Sequence, residues 1–489
     1  MSERPNVVLV VLDTARADAL EPYGAAVGSS PAIADLARRG AAAKAAFSTA
    51  NWTFPSHVSM LTGSLPRDAG LYRVGDDVVE RMSALAPQLL PAVLSKAGYV
   101  TRAVSANPWI HPSRGFDTGF DEFVPVQGTH RHSGFNAGAG PGEEGSWWRR
   151  SRVAVSRGVT ALRAEADHGA AEAGDVVRRW LTTVDRTRPF FWFVNLLECH
   201  SPYAPPRRFA RLGPWDRVRA AFDHEHVNGL LTLWAINSGA REVDAGRIDR
   251  MRRAYPGGVL AADAWVGDLL EQLDGAGLLE ETIVVVTSDH GENLGEAGRV
   301  AHSLWLDDRL VRVPLVTAGP VGLETGDVTS LADVPRLVAD AIGLAEHPWQ
   351  QPAYPSGVGL AQFDPPVPRT DPRFDELRQR LELDDYAVWR LTTPSTCATD
   401  GTLKVVVEGD EEWVYDLVAD PDEVAPVHLD GKTALRHGQR LETLRAAARC
   451  AMPGAAQSPA ASDADSQVAV AFGPADDDMA ERMRLLGYL

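Results

Sequence analysis

Asn6-Val7-Val8-Leu9-Val10-Val11-Leu12-Asp13 opens the chain with an unbroken apolar run that stops at a carboxylate. A run of that length, rich in β-branched residues, predicts a strand buried on both faces, the kind found in parallel sheets. Two later runs repeat the pattern. Residues 190–197 end in Glu198-Cys199-His200-Ser201-Pro202, and residues 282–287 end in Ser288-Asp289-His290. Between and after them lie strand-like residues 100–104 and 313–317, and helical spacing over 31–39, from near Pro55 to Gly63, and over 88–97, 161–181, about 261–273 and 331–342. Such strand–helix alternation predicts an α/β fold with an open, mostly parallel sheet flanked by helices.

From about residue 385 the texture changes. Residues 386–391, 403–407 and 413–417 are short runs with Asp400-Gly401 and Gly409-Asp410 as turns, which predicts a small C-terminal antiparallel sheet. The expected organisation is a main α/β domain over 1–375, an antiparallel-sheet subdomain over 385–450, a flexible Ala/Ser/Pro/Asp-rich linker over 451–475, and a docking helix over 476–489. The 489 residues carry a net charge of −18, from 48 basic and 66 acidic side chains, which excludes a nucleic-acid or anionic-membrane binder. Cys199, Cys397 and Cys450 form neither a disulfide framework nor a metal-type spacing. No apolar leader opens the chain and no stretch of about 18 apolar residues occurs, so a cytoplasmic protein with no membrane insertion is expected.

Three strands thus end in side chains that bind metals or move protons: Asp13, His200, and the pair Asp289-His290. In open α/β sheets the ligand crevice lies outside the carboxyl ends of the strands, where residues distant in sequence meet. The fourth piece is Asn51-Trp52-Thr53-Phe54-Pro55-Ser56-His57-Val58-Ser59-Met60-Leu61-Thr62-Gly63. Taken alone, Thr53 reads as a plain helix cap. The same geometry also sets a hydroxyl where free N–H groups and the helix dipole favour an alkoxide. A threonine hydroxyl is a poor nucleophile until its pKa is lowered, and a cation held by Asp13, Asp289 and His290 would lower it.

At these residues the sequence resembles the sulfatase branch of the alkaline phosphatase superfamily. Residues 6–18 are similar to its opening strand. Residues 52–63 look like its nucleophile segment, whose sulfatase form reads Cys/Ser-x-Pro-Ser-Arg followed by Leu-Thr-Gly. His200-Ser201-Pro202-Tyr203 with Pro205-Pro206 resembles the segment that contacts the leaving group. Ser288-Asp289-His290-Gly291-Glu292 through His302 to Arg312-Val313-Pro314-Leu315 resembles the second metal-binding segment, and Val414-Tyr415-Asp416-Leu417, Asp420-Pro421-Asp422-Glu423 and Leu486-Gly487-Tyr488 fit the C-terminal region. The resemblance implies an alkaline-phosphatase-like fold and a metal-dependent hydrolase of phosphate or sulfate esters.

The departures shape the expected mechanism. Thr53 stands where formylglycine needs Cys or Ser, so that modification is not expected; His57 replaces the arginine, and Thr14 replaces a second acidic ligand. A formylglycine hydrate expels sulfate by collapsing to the aldehyde, an exit a threonine sulfate lacks. A threonine phosphate is released by in-line attack of water on phosphorus, so phosphoesters suit this site better. One divalent cation is expected on Asp13, Thr53, Asp289 and His290, with Mn²⁺ or Zn²⁺ favoured by the mixed carboxylate and imidazole donors and Ca²⁺ as the alternative. Thr53 would attack, His200 and His302 would protonate the leaving oxygen or activate water, and His57 would hydrogen-bond the ester. Arg16 reads equally as a buttress or a surface pair, and Lys404 as a solvated charge. His130, His132, His224 and His226 read as exposed loop residues, and Trp147, Trp148, Trp215 and Trp234 as packing for two irregular insertions. The alternatives are an arylsulfatase-like sulfuric ester hydrolase, phosphoryl transfer to an alcohol, and a non-catalytic sulfatase-like binding protein.

Overall fold

The computed structural model describes residues 4–75, 77–126, 162, 167–227, 230–351, 354–365, 373–427 and 431–453. Seven strands form the main sheet: β1 (Asn6–Leu12), β2 (Ala41–Ala42), β3 (Val100–Ser105), β4 (Glu122–Pro125), β5 (Phe190–Leu196), β6 (Thr282–Thr287) and β7 (Leu315–Ala318). Their order across the sheet is β2-β7-β6-β1-β5-β3-β4. The five strands from β6 to β4 run parallel; β7 and β2 close the other edge in antiparallel pairs.

The continuous apolar runs follow from having a helical layer on each face. Val7, Leu9 and Val11 pack with the helices Thr53–Thr62, Leu90–Lys96 and Val334–Ala341. Val8, Val10 and Leu12 pack on the other face with Pro31–Arg39, Ala170–Thr182 and Ala245–Gly275. The register aligns the carboxyl ends: Leu12 pairs with Leu196, Val11 with Thr287, and Ser105 with Asn195. Whatever follows β1, β3 and β6 therefore arrives at one edge. Among the described residues no helix is long and apolar enough to cross a membrane.

The helix that sequence spacing begins near 261 begins at Ala245 and continues through Pro256. Its Gly258 is required by close approach, since a Cβ there would meet the Glu198 carbonyl oxygen at 2.2 Å. The bare helix face thereby seats the segment that carries His200.

The C-terminal sheet is antiparallel, as expected, but has four strands: β8 (Gly359–Phe363), β9 (Ser395–Thr399), β10 (Leu403–Glu408) and β11 (Glu411–Asp416). Its first strand lies before residue 375. Residues 386–391, read as strand-like, belong instead to a helix, Asp385–Thr392, because the Asp384 carboxylate accepts the Ala387 N–H and caps it. The Arg207–Asp244 stretch holds two helices, Pro214–Val227 and Leu230–Asn237. Trp234 is buried in packing, whereas Trp215 is 74% exposed. His130, His132, Trp147, Trp148, most of the linker and the C-terminal helix lie outside the described residues, as do the side chains of His224 and His226.

Candidate metal centre and nucleophile

Asp13 leaves the end of β1 and Asp289-His290 the end of β6. One ligand atom from each of the three lies within 4.8 Å of the other two, and all three residues are buried. The His290 Nδ1 sits 2.9 Å from the Gly291 carbonyl oxygen, so it carries the ring hydrogen and leaves the Nε2 lone pair free to bind. That Nε2 is 3.3 Å from Thr53 Oγ1 and 3.3 Å from Asp289 Oδ2. Burial holds the His290 pKa down at about 4, so the ring is neutral.

The Thr53–Thr62 helix delivers the hydroxyl. Trp52 is the residue in front of the helix, extended at φ −152°, and Thr53 is its first residue. The plain-cap reading fails on this point, because the Thr53 hydroxyl faces His290 across the crevice. Ser56 fixes the helix by donating to the Asp289 carbonyl oxygen at 2.6 Å while Ser48 bonds Ser56 at 3.0 Å.

Among the described residues Asp13 Oδ1 and Asp289 Oδ2 are buried without a hydrogen-bond partner. Burial, with Asp289 adding to it, pushes the Asp13 carboxyl well above the usual carboxylate range, and burial likewise raises Asp289. Two facing carboxylates in a dry site ionise together only if positive charge joins them. Two orphan oxygens and an imidazole lone pair fit a divalent cation.

Sequence reasoning overlooked the residues that hold these ligands. Asn107, two residues past β3, donates to Asp13 Oδ2 at 2.6 Å and accepts the Trp109 N–H at 2.7 Å. Asn195 is a lone amide inside the apolar β5; its side chain accepts the Ser105 hydroxyl at 3.3 Å, faces His57 Nε2 at 3.3 Å, and opposes the rise in the Asp13 pKa. Both carried a signal, the first as a polar residue just beyond a strand end and the second as an amide within an apolar run.

His57 differs from expectation. Its Nδ1 bonds the Thr53 carbonyl oxygen at 2.9 Å and its Nε2 faces Asn195, so both ring nitrogens are engaged by protein groups and neither is left for an ester. Its ring is buried edge-on to Phe116 and Phe193. His200 and His302 do meet, with Nε2 atoms 3.4 Å apart, and the His302 ring centroid lies 4.4 Å from that of His290. The His200 Nδ1 faces the Ser201 carbonyl oxygen at 2.6 Å. Burial, followed by the facing partner ring, lowers the His200 pKa well below the usual value, and burial with His290 does the same for His302.

Arg16 proves to be a buttress. It is 7% exposed, donates to the Glu292 carbonyl oxygen at 3.2 Å, and pairs with Glu296 at 2.8 Å and Asp18 at 2.6 Å, gripping the loop after His290. Gly291 is obligatory in that loop, because a Cβ would meet the Arg309 carbonyl oxygen at 1.9 Å. Lys404 is no solvated charge. It is fully buried, 2.6 Å from Asp308, 3.0 Å from both Glu423 oxygens and 2.9 Å from the Leu306 carbonyl oxygen. Its partners come from segments far away in sequence, which a local reading does not connect.

The family model "Sulfatase" matches residues 5–345. Choline-sulfatase of Rhizobium meliloti is 26% identical over 454 residues, covering 86% of this chain and 82% of that protein. Human iduronate 2-sulfatase is 27% identical over 315 residues, covering 60% of this chain and 56% of its own length. Among solved structures, the phosphonate monoester hydrolase of Agrobacterium radiobacter superposes with a TM-score of 0.59 at 20% identity, over 91% of this chain and 96% of that one. A structure holding its substrate D-glucosamine-2-N,6-O-disulfate gives 0.60 at 17% identity, with 91% and 96% coverage. The match over the greater part of the length, together with the sheet and its crevice, means that this chain belongs to the sulfatase family, a group of ester hydrolases in the alkaline phosphatase superfamily.

Proposed function

We propose that this sulfatase-family hydrolase acts on phosphoesters, a class that includes phosphonate esters, through a covalent intermediate on Thr53. The observation that carries the reading is the buried Thr53 hydroxyl, 3.3 Å from the His290 Nε2 that shares a cation-fitting pocket with Asp13 and Asp289. Asp13, Thr53, Asp289 and His290 would hold the cation, Mn²⁺ or Zn²⁺ in preference to Ca²⁺ on donor type. When bound, it supplies positive charge that lowers the hydroxyl pKa and polarises a non-bridging substrate oxygen.

The chain's own groups then perform the transfer. Thr53 Oγ1 forms a bond to phosphorus as the in-line bond to the leaving alkoxide breaks, and the proton Thr53 gives up passes through the His200–His302 pair to that alkoxide. Water attacks the phosphothreonine from the vacated side, the bond between Thr53 Oγ1 and phosphorus breaks, and the water's proton passes through the same pair to Thr53 as inorganic phosphate or phosphonate leaves. His57 holds the Thr53 carbonyl and so acts as a positioning residue.

A second reading, sulfuric ester hydrolysis, is favoured by one observation: the curated relatives named above are both sulfatases. The two readings separate when metal-reconstituted protein meets aryl phosphomonoester, phosphodiester, phosphonate ester and sulfate ester in parallel. Phosphoester or phosphonate turnover well above sulfate turnover is expected; sulfate turnover alone overturns the proposal.

A further inference from the structure

We infer that the Thr14 hydroxyl is an oxyanion contact of this site, donating its hydrogen to a non-bridging oxygen of the bound ester; the inference rests on the hydrolase reading above. Three independent features single this residue out. Thr14 is completely buried, and its Oγ1 has no hydrogen-bond partner among the described residues. An unfilled buried hydroxyl forgoes a hydrogen bond, which folded proteins rarely tolerate without a reason.

The backbone is the second feature. Thr14 has φ +59°, a left-handed conformation that a β-branched residue adopts only under constraint. Glycine or asparagine would sit there at lower cost, so the side chain is retained against local preference. The constraint comes from all sides: the Tyr255 hydroxyl donates to the Thr14 carbonyl oxygen at 2.8 Å, the Thr14 N–H donates to Asp289 Oδ1 at 3.2 Å, and the Ala15 N–H donates to Ser288 Oγ at 2.9 Å.

Place is the third. Oγ1 is two bonds from its own Cα, so it lies within about 7 Å of the Asp289 oxygen that its backbone touches. It follows Asp13 directly, yet bonds neither carboxylate, although Asp13 Oδ1 and Asp289 Oδ2 are themselves unfilled. Those two oxygens only accept and call for a cation, whereas Thr14 is the donor of the three. A tetrahedral oxyanion joined to the cation offers the acceptor it lacks.

The test uses the full-length protein loaded with Mn²⁺, with inorganic phosphate and inorganic sulfate as probes in calorimetry. Thr14→Val keeps the branched shape and removes the hydroxyl. It is expected to weaken binding of the held oxyanion about tenfold or more, with Mn²⁺ affinity unchanged. Thr14→Ser is expected to restore binding, and Thr14→Gly to lose it while melting no lower than wild type, which separates the contact from the fold. Wild-type affinity in Thr14→Val, or a parallel loss of Mn²⁺ affinity, overturns the inference, as does a wild type that holds neither ion. Sulfate held without phosphate sinks the phosphoester preference separately, and Thr14 is then judged with sulfate.

Discussion

Among the described residues, two buried clusters of charge are settled in opposite ways. Around Lys404, the ammonium meets Asp308, Glu423 and the Leu306 carbonyl oxygen, so the cluster supplies its own counter-charge and ties the C-terminal sheet to the segment after His302. Around Asp13 and Asp289, two carboxylates face each other with no cationic side chain between them among the described residues, and one oxygen of each stays unfilled there. A self-sufficient cluster is mortar. One that leaves acceptors open in a dry place is held for a ligand, and the surrounding network keeps it open at some cost in stability.

The difference is open to experiment. Asp289→Asn is expected to lower ester turnover by roughly 10³-fold or more, as removal of a group acting in a catalytic unit does. Yet the metal-free variant should melt no lower than metal-free wild type, because it relieves one of two facing charges. A large fall in melting temperature would place this cluster with the mortar.

Lys404→Met should do the reverse. Leaving Glu423 and Asp308 buried without their cation is expected to cost about 3–5 kcal/mol in urea unfolding, with turnover per folded molecule nearly unchanged. A loss below about 1 kcal/mol would erase the contrast.

Chelation touches only the open cluster. With metal at about 100 times its dissociation constant, removing it should lower wild-type stability by about 3 kcal/mol and leave Asp289→Asn unaffected. Equal shifts in both proteins would show that the cation binds elsewhere. The smallest effect belongs to Tyr255→Phe, which removes the hydroxyl that bonds the Thr14 carbonyl oxygen and the Arg16 N–H. About 1–2 kcal/mol in denaturant unfolding is expected, and no change would mean the turn after Asp13 holds itself.

Most of this site could be read in the sequence because parallel strands advertise their ends. The runs closing at Asp13 and at Asp289-His290 mark the crevice in the sequence itself, and Thr53 is marked by the helix it opens. Asn107 and Asn195 escaped because they are amides, which position neighbouring groups and bind no metal themselves; only the fold brings them beside Asp13. His57 sits one turn from Thr53, but which way its ring points is decided by Asn195, far away in sequence. In the C-terminal sheet, Gly359–Phe363 and Ser395–Thr399 lack a strong apolar run and form strands through their neighbours. Tyr386–Leu391 has such a run but was claimed for a helix by the Asp384 cap.

The account is tested most directly by quenching the metal-loaded protein during turnover of an aryl phosphoester and weighing its peptides. One phosphoryl group on the peptide containing Thr53, absent from the Thr53→Ala variant along with turnover, is the expected result. Steady hydrolysis with that residue unmodified, or undiminished in Thr53→Ala, would contradict it.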